Sequence, residues 1–77
     1  MKFKILDTVV LARNLPEHSL LEGDLGAVVA VYEPAGLEVE FVTAVGRTKA
    51  LVTLAIDDVR PAEKTDLLAV RSIDTPA

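Results

Sequence analysis

Leu37-Glu38-Val39-Glu40-Phe41-Val42, followed after a short turn by Arg47-Thr48-Lys49-Ala50-Leu51-Val52-Thr53-Leu54, is the stretch whose reading decides this fold. In the first run apolar and acidic residues alternate, the period-2 pattern of a strand with one buried and one wet face. With Ala44 paired to Arg47 across a Val45-Gly46 turn, Phe41 faces Ala50, Val39 faces Val52 and Leu37 faces Leu54. Every inward pair is then apolar. On the outer face Val42 meets Lys49, Glu38 meets Thr53, and Glu40 lies diagonal to Lys49. A one-residue slip would set charged against apolar residues throughout, which a buried face rejects. The stretch predicts a β-hairpin.

Upstream of it, Gly26 opens an Ala-Val-Val-Ala-Val run that ends at Tyr32. The run is short for a helix and is bounded by Gly26 and Glu33-Pro34-Ala35-Gly36, so it predicts a buried strand. Pro34 and Gly36 supply the turn chemistry, with Gly36 able to take positive φ. Leu6 to Leu11 reads as a first strand, ended by Ala12-Arg13-Asn14. Arg13 to Asp24, carrying Pro16 and Gly23, reads as a long loop with Leu15, Leu20 and Leu21 tucked inward. Downstream, Ala55-Ile56-Asp57-Asp58 predicts one tight turn, and Val59-Arg60 a short closing strand that Pro61 stops. Residues 1–61 therefore predict an all-β, five-stranded SH3-like barrel with a short 3-10 turn. Closure would remove the sheet edges that a small all-β chain must manage.

Residues 62–77 form an extra C-terminal tail of different character. Thr65 could cap a helix through Arg71, Leu67 to Ile73 could add a strand, or the segment could fray. Against fraying stands its content: Leu67, Leu68, Val70 and Ile73 are costly to leave in water. A tail that docks on its own barrel, on a sister chain or on a partner satisfies them.

Composition narrows the function classes. Seventy-seven residues make one domain. A chain of this size buries only about 60% of its unfolded surface, so the apolar fraction of 51% must be used efficiently or shared with a partner. The absence of cysteine removes disulfides, thiolate metal sites and thiol catalysis together. A reducing cytoplasm is the expected compartment, with no secretory leader in the opening residues and no run approaching the roughly 18 apolar residues of a membrane span. The net charge of −4, with scattered basic residues, disfavours nucleic-acid binding, which depends on neutralising phosphates.

The catalytic inventory is thin. His18 is the sole imidazole, and the only serines are Ser19 and Ser72. A nucleophilic triad needs a base and an orienting group brought together in a pocket, and nothing in this sequence indicates one. Asp57-Asp58, with Asp24 or Glu63, could offer oxygens to a weakly held hard cation. Neighbouring aspartates in a turn more commonly cap their own backbone. Gly23-x-x-Gly26 lacks the lysine of a phosphate-binding loop and precedes a strand, so Gly26 reads as a bulge or a close backbone approach. No catalytic residue, cofactor or metal site is assigned. Glu33, Glu38 and Glu40 form an acidic outer face that is either simply solvated or complementary to a basic protein partner. With Leu67, Leu68 and Val70 they make up the candidate partner-binding residues.

Gly23-Asp24-Leu25-Gly26-Ala27-Val28-Val29-Ala30-Val31-Tyr32 resembles the turn-and-strand of KOW-type and other SH3-like barrels. From Phe3 through Pro61 the chain is similar to a bacterial family catalogued as domain of unknown function 4926. The phrases that carry this likeness are Leu6 to Leu11, Leu15-Pro16-Glu17-His18, Gly23 to Tyr32, Leu37 to Val42 and Asp57-Asp58-Val59-Arg60-Pro61. The resemblance implies an SH3-like fold and supplies no activity. The family likeness leads us to expect relatives encoded beside small toxin-like proteins, and hence an antitoxin or immunity role. A more distant resemblance is to SH3-like accessory subunits of photosynthetic electron-transport complexes. The reading is therefore a non-enzymatic protein-interaction module with a protein partner, compatible with homo-oligomerisation. Its alternatives are an accessory subunit of a larger redox or enzyme complex, and a weak KOW-like nucleic-acid binder.

Overall fold

The structure, a computed structural model, describes residues 2–72. Five strands follow in order: β1 (Thr8–Leu11), β2 (Leu25–Tyr32), β3 (Gly36–Val42), β4 (Thr48–Ala55) and β5 (Val59–Pro61). One 3-10 turn, Pro16–His18, interrupts the loop after β1, and a second, Ile56–Asp58, joins β4 to β5. All ladders are antiparallel and give one sheet in the order β4-β3-β2-β1-β5. Both edge strands feed the same core: Val52 and Leu54 from β4 and Val59 from β5 pack with Val9, Leu11, Val28, Leu37, Val39 and Phe41. The sheet is therefore strongly curled. Among the described residues no ladder joins β4 to β5.

The central hairpin pairs as its alternation requires. Leu37 lies opposite Leu54, Val39 opposite Val52 and Phe41 opposite Ala50, with Glu38 opposite Thr53 on the outer face. Its tip departs from expectation. Val42 pairs with Thr48, not Lys49, because a bulge at Lys49 inserts one residue into β4. The turn contains three residues, closed by Thr43 N–H to Arg47 O at 2.8 Å and Gly46 N–H to Thr43 O at 2.9 Å. Gly46 takes φ of +85°, the left-handed position such a hairpin loop reserves for glycine.

Other corrections have equally local causes. β1 starts at Thr8 instead of Leu6, because Asp7 closes a turn on Lys4 that leaves Leu6 exposed at φ of +78°. That turn also places Phe3 in the core, where the sequence reading had not put it. Reciprocal backbone bonds join Leu15 and Leu20 and bury both side chains, whereas Leu21, the next residue, faces out. β2 is half-buried: Val29 and Tyr32 are exposed, and a bulge separates Val28 from Ala30. Gly36 is a paired residue of β3 without positive φ; the turn before it runs through Glu33-Pro34-Ala35 with a cis Glu33–Pro34 peptide. Gly26 marks a close approach. A Cβ there would lie 2.5 Å from Val39 Cγ1 and 2.9 Å from Phe41 Cε1.

The tail is neither the helix nor the strand that its sequence allowed. Glu63 to Asp66 make a turn, and residues 67–72 have no regular structure. Ile73 lies outside the described residues.

Candidate functional site: a cleft between the sheet and an arched tail

Two arginine–aspartate clamps hold the tail against the sheet. The first forms at the entry to β2. Gly23, at φ of +97°, lets the chain turn so that the Asp24 carboxylate accepts the Leu21 N–H at 2.8 Å. The same carboxylate receives Arg71, with Nε donating to Oδ1 at 2.9 Å and Nη2 to Oδ2 at 2.5 Å. Arg71 Nη2 also donates to the Ser19 carbonyl at 3.1 Å. In the second clamp Arg60 of β5 donates Nη1 and Nη2 to the two oxygens of Asp66, both at 2.9 Å. Asp66 accepts the Glu63 N–H as well, at 2.6 Å. Such forked pairs fix orientation as well as distance.

Electrostatics follow the geometry. The Arg71 guanidinium holds Asp24 below the usual carboxylate range, against an opposing push from partial burial. Arg60, helped by the Glu63 amide, lowers Asp66 to about 2. A third aspartate, Asp58, is lowered chiefly by Arg13, whose Nε donates to it at 2.8 Å. Asp58 also accepts the Ala55 N–H at 3.0 Å, which caps the turn into β5.

Between the clamps the tail arches away from the sheet. Leu67, Leu68 and Val70 are 95%, 76% and 97% exposed, so their side chains rest on almost nothing. Opposite them Leu20, Leu21, Leu25 and Val42 form an apolar wall, and the open cleft between wall and arch measures about 760 Å³. That is within the size range of ligand clefts. Of the three apolar candidates, Leu67 and Val70 line this cleft and Leu68 does not; the three acidic ones are elsewhere.

Glu38 and Glu40 sit half-buried on the outer face of β3, and each already accepts a hydroxyl: Tyr32 donates to Glu38, and Thr48 to Glu40 at 2.5 Å. Glu33 is exposed in the turn before β3. His18 stands in the first 3-10 turn, and Asp57 is exposed beside the cap. Of the carboxylates that could have served a cation, Asp58 is paired with Arg13 and Asp24 with Arg71. Among the described residues no group of three His, Cys, Asp or Glu is placed to hold a metal ion. No described helix is long and apolar enough to cross a membrane.

Sequence reasoning missed the clamps. Arg60 and Asp66 are separated by six positions and Asp24 and Arg71 by forty-seven, so only the first pair leaves a trace of local spacing. Comparison with known proteins returns one family model. No curated protein and no solved structure matches the chain. The model spans residues 5–61, all five strands, and stops before the tail. The chain belongs to the family described as Domain of unknown function (DUF4926).

Proposed function

We propose that this protein is a non-enzymatic protein-interaction module, an SH3-like barrel of the cytoplasm that neutralises or assembles with a co-encoded protein in the manner of an antitoxin or immunity protein. One observation carries the reading: an apolar strip of Leu67, Leu68 and Val70 is held in water by two charge clamps beside an apolar cleft. Side chains of this kind gain roughly 1.5–3 kcal/mol each when removed from water. The strip lies beyond residue 61, where the family model ends.

The strip and the acidic face can be separated by experiment. The protein is purified from its native cell and its copurifying partner identified by mass spectrometry. The triple variant L67S/L68S/V70S should lose that partner while keeping its fold, since none of the three side chains packs in the core. The variant E38K/E40K should retain it. Full recovery of the partner with the triple variant overturns the reading, and loss with E38K/E40K alone moves the interface to the acidic face.

A further inference from the structure

The two edges of the sheet are protected very differently. β5 has only three residues and contains both Arg60 and Pro61, a charge and a residue without an N–H. Short, charged and proline-bearing edges resist pairing with other strands. β4 has eight residues, Thr48–Ala55, no proline, and a single charge, Lys49, at the bulge near its start. From Ala50 to Ala55 it carries no charge at all.

The direction in which β4 points its free backbone groups can be derived. Ile56 N–H donates to Ala35 O at 2.9 Å, toward β3, whereas Ala55 N–H turns to the Asp58 carboxylate at 3.0 Å. Backbone groups of successive strand residues alternate in direction. Leu54, Val52 and Ala50 therefore bond to β3, opposite Leu37, Val39 and Phe41. Leu51 and Thr53 present their N–H and C=O to the open edge. Both residues are exposed, Leu51 at 54%. Asp58 satisfies the next outward donor, Ala55, and so marks where free pairing ends.

We infer that β4 is a strand-addition surface and that its occupant is β4 of a second copy, antiparallel, with Val52 on the two-fold axis. The edge is self-complementary in that register. Leu51 lies opposite Thr53 of the second copy and the reverse, so all four outward N–H and C=O groups on each side are paired. On the inner face Val52 meets its own equivalent and Ala50 meets Leu54, which keeps that face apolar across the junction. On the axis no like charges meet, and Lys49 falls opposite Ala55. Isologous contacts of this kind close as dimers, since each copy has only one such edge. The surface is separate from the tail cleft and stands without the function proposed above.

Sedimentation equilibrium of the full chain tests the inference, combined with amide hydrogen exchange. The chain should move from monomer to twice the monomer mass with rising concentration. In the same series the Leu51 and Thr53 amides should become protected, while those of Val52 and Leu54 stay protected throughout. Two full-chain variants, Leu51→Lys and Thr53→Pro, should remain monomeric with an unchanged circular dichroism spectrum. The proline removes only an outward N–H, and the lysine stands in if the proline variant does not fold. A wild-type chain that stays monomeric at millimolar concentration overturns the inference. So does a dimer that survives L51K but is abolished by L67S/L68S/V70S, because that dimer would be made by the tail.

Discussion

Leu37 to Phe41 and Leu67 to Val70 are similarly rich in large apolar side chains, and the fold treats them in opposite ways. In β3 the apolar residues alternate with Glu38 and Glu40, and Leu37 and Val39 are fully buried. In the tail they are contiguous, Leu67-Leu68-Ala69-Val70, and stand in water. A strand sends successive side chains to opposite faces, so a contiguous run cannot bury all of them against one sheet. Hydrophobicity alone does not decide burial. What decides it is periodicity together with backbone partners, and β3 has ladders on both sides while residues 67–72 lie in none.

The largest expected contrast comes from truncating the same side chain in both regions. Leu37→Ala should cost about 2–5 kcal/mol in urea unfolding, most of the stability of so small a domain. Leu67→Ala should change it by no more than about 0.5 kcal/mol. A tail variant as damaging as the core variant would break the comparison. Next is Gly26→Ala, where the added methyl must displace Val39 and Phe41 across the core. Overpacking of this kind costs about 1–3 kcal/mol and should appear as a lowered urea midpoint with an unchanged slope.

Asp58 sharpens the comparison on its polar side. Asp58→Asn removes the Arg13 pair and weakens the cap on Ala55, and should lower stability at neutral pH by about 1 kcal/mol. Because Arg13 depresses the folded-state value of Asp58, its contribution is fully present above the ordinary carboxylate value of 3.8 and is lost as pH falls through the lower folded one. Wild type and variant should therefore converge in acid below that point; a constant gap would show that the charge on Asp58 is immaterial. The smallest effect concerns Tyr32, the sole tyrosine. Its hydrogen bond to Glu38 raises its titration above 10.0, and Glu38→Gln should bring it down, read directly as phenolate absorbance. No change would mean that the outer-face carboxylate is free.

Several parts of this were legible in the residues themselves. The pairing of Leu37, Val39 and Phe41 with Leu54, Val52 and Ala50 follows from period-2 alternation on both strands, since any odd slip exposes the core face. The tight turn at Ile56–Asp58 follows from the preference of paired aspartates for capping. The short final strand follows from Pro61, which sits at its last position. The hairpin tip was not legible, because a bulge at Lys49 shifts the register by one residue without altering the hydrophobic pattern. Nor was the exposure of Leu21 beside buried Leu20, which depends on a bridge to Leu15 across a loop.

Of the site, the sequence named the apolar tail residues and the acidic strand residues as candidates, by composition. Only the tertiary structure decided that the first stand beside a cleft and that the second already serve Tyr32 and Thr48. The reason is one of range. Alternation, caps and turn chemistry act over a few residues and are written locally. The clamp between Asp24 and Arg71 and the pair between Arg13 and Asp58 join residues forty-seven and forty-five positions apart. Such contacts exist only once β1 has paired with β2 on one side and with β5 on the other.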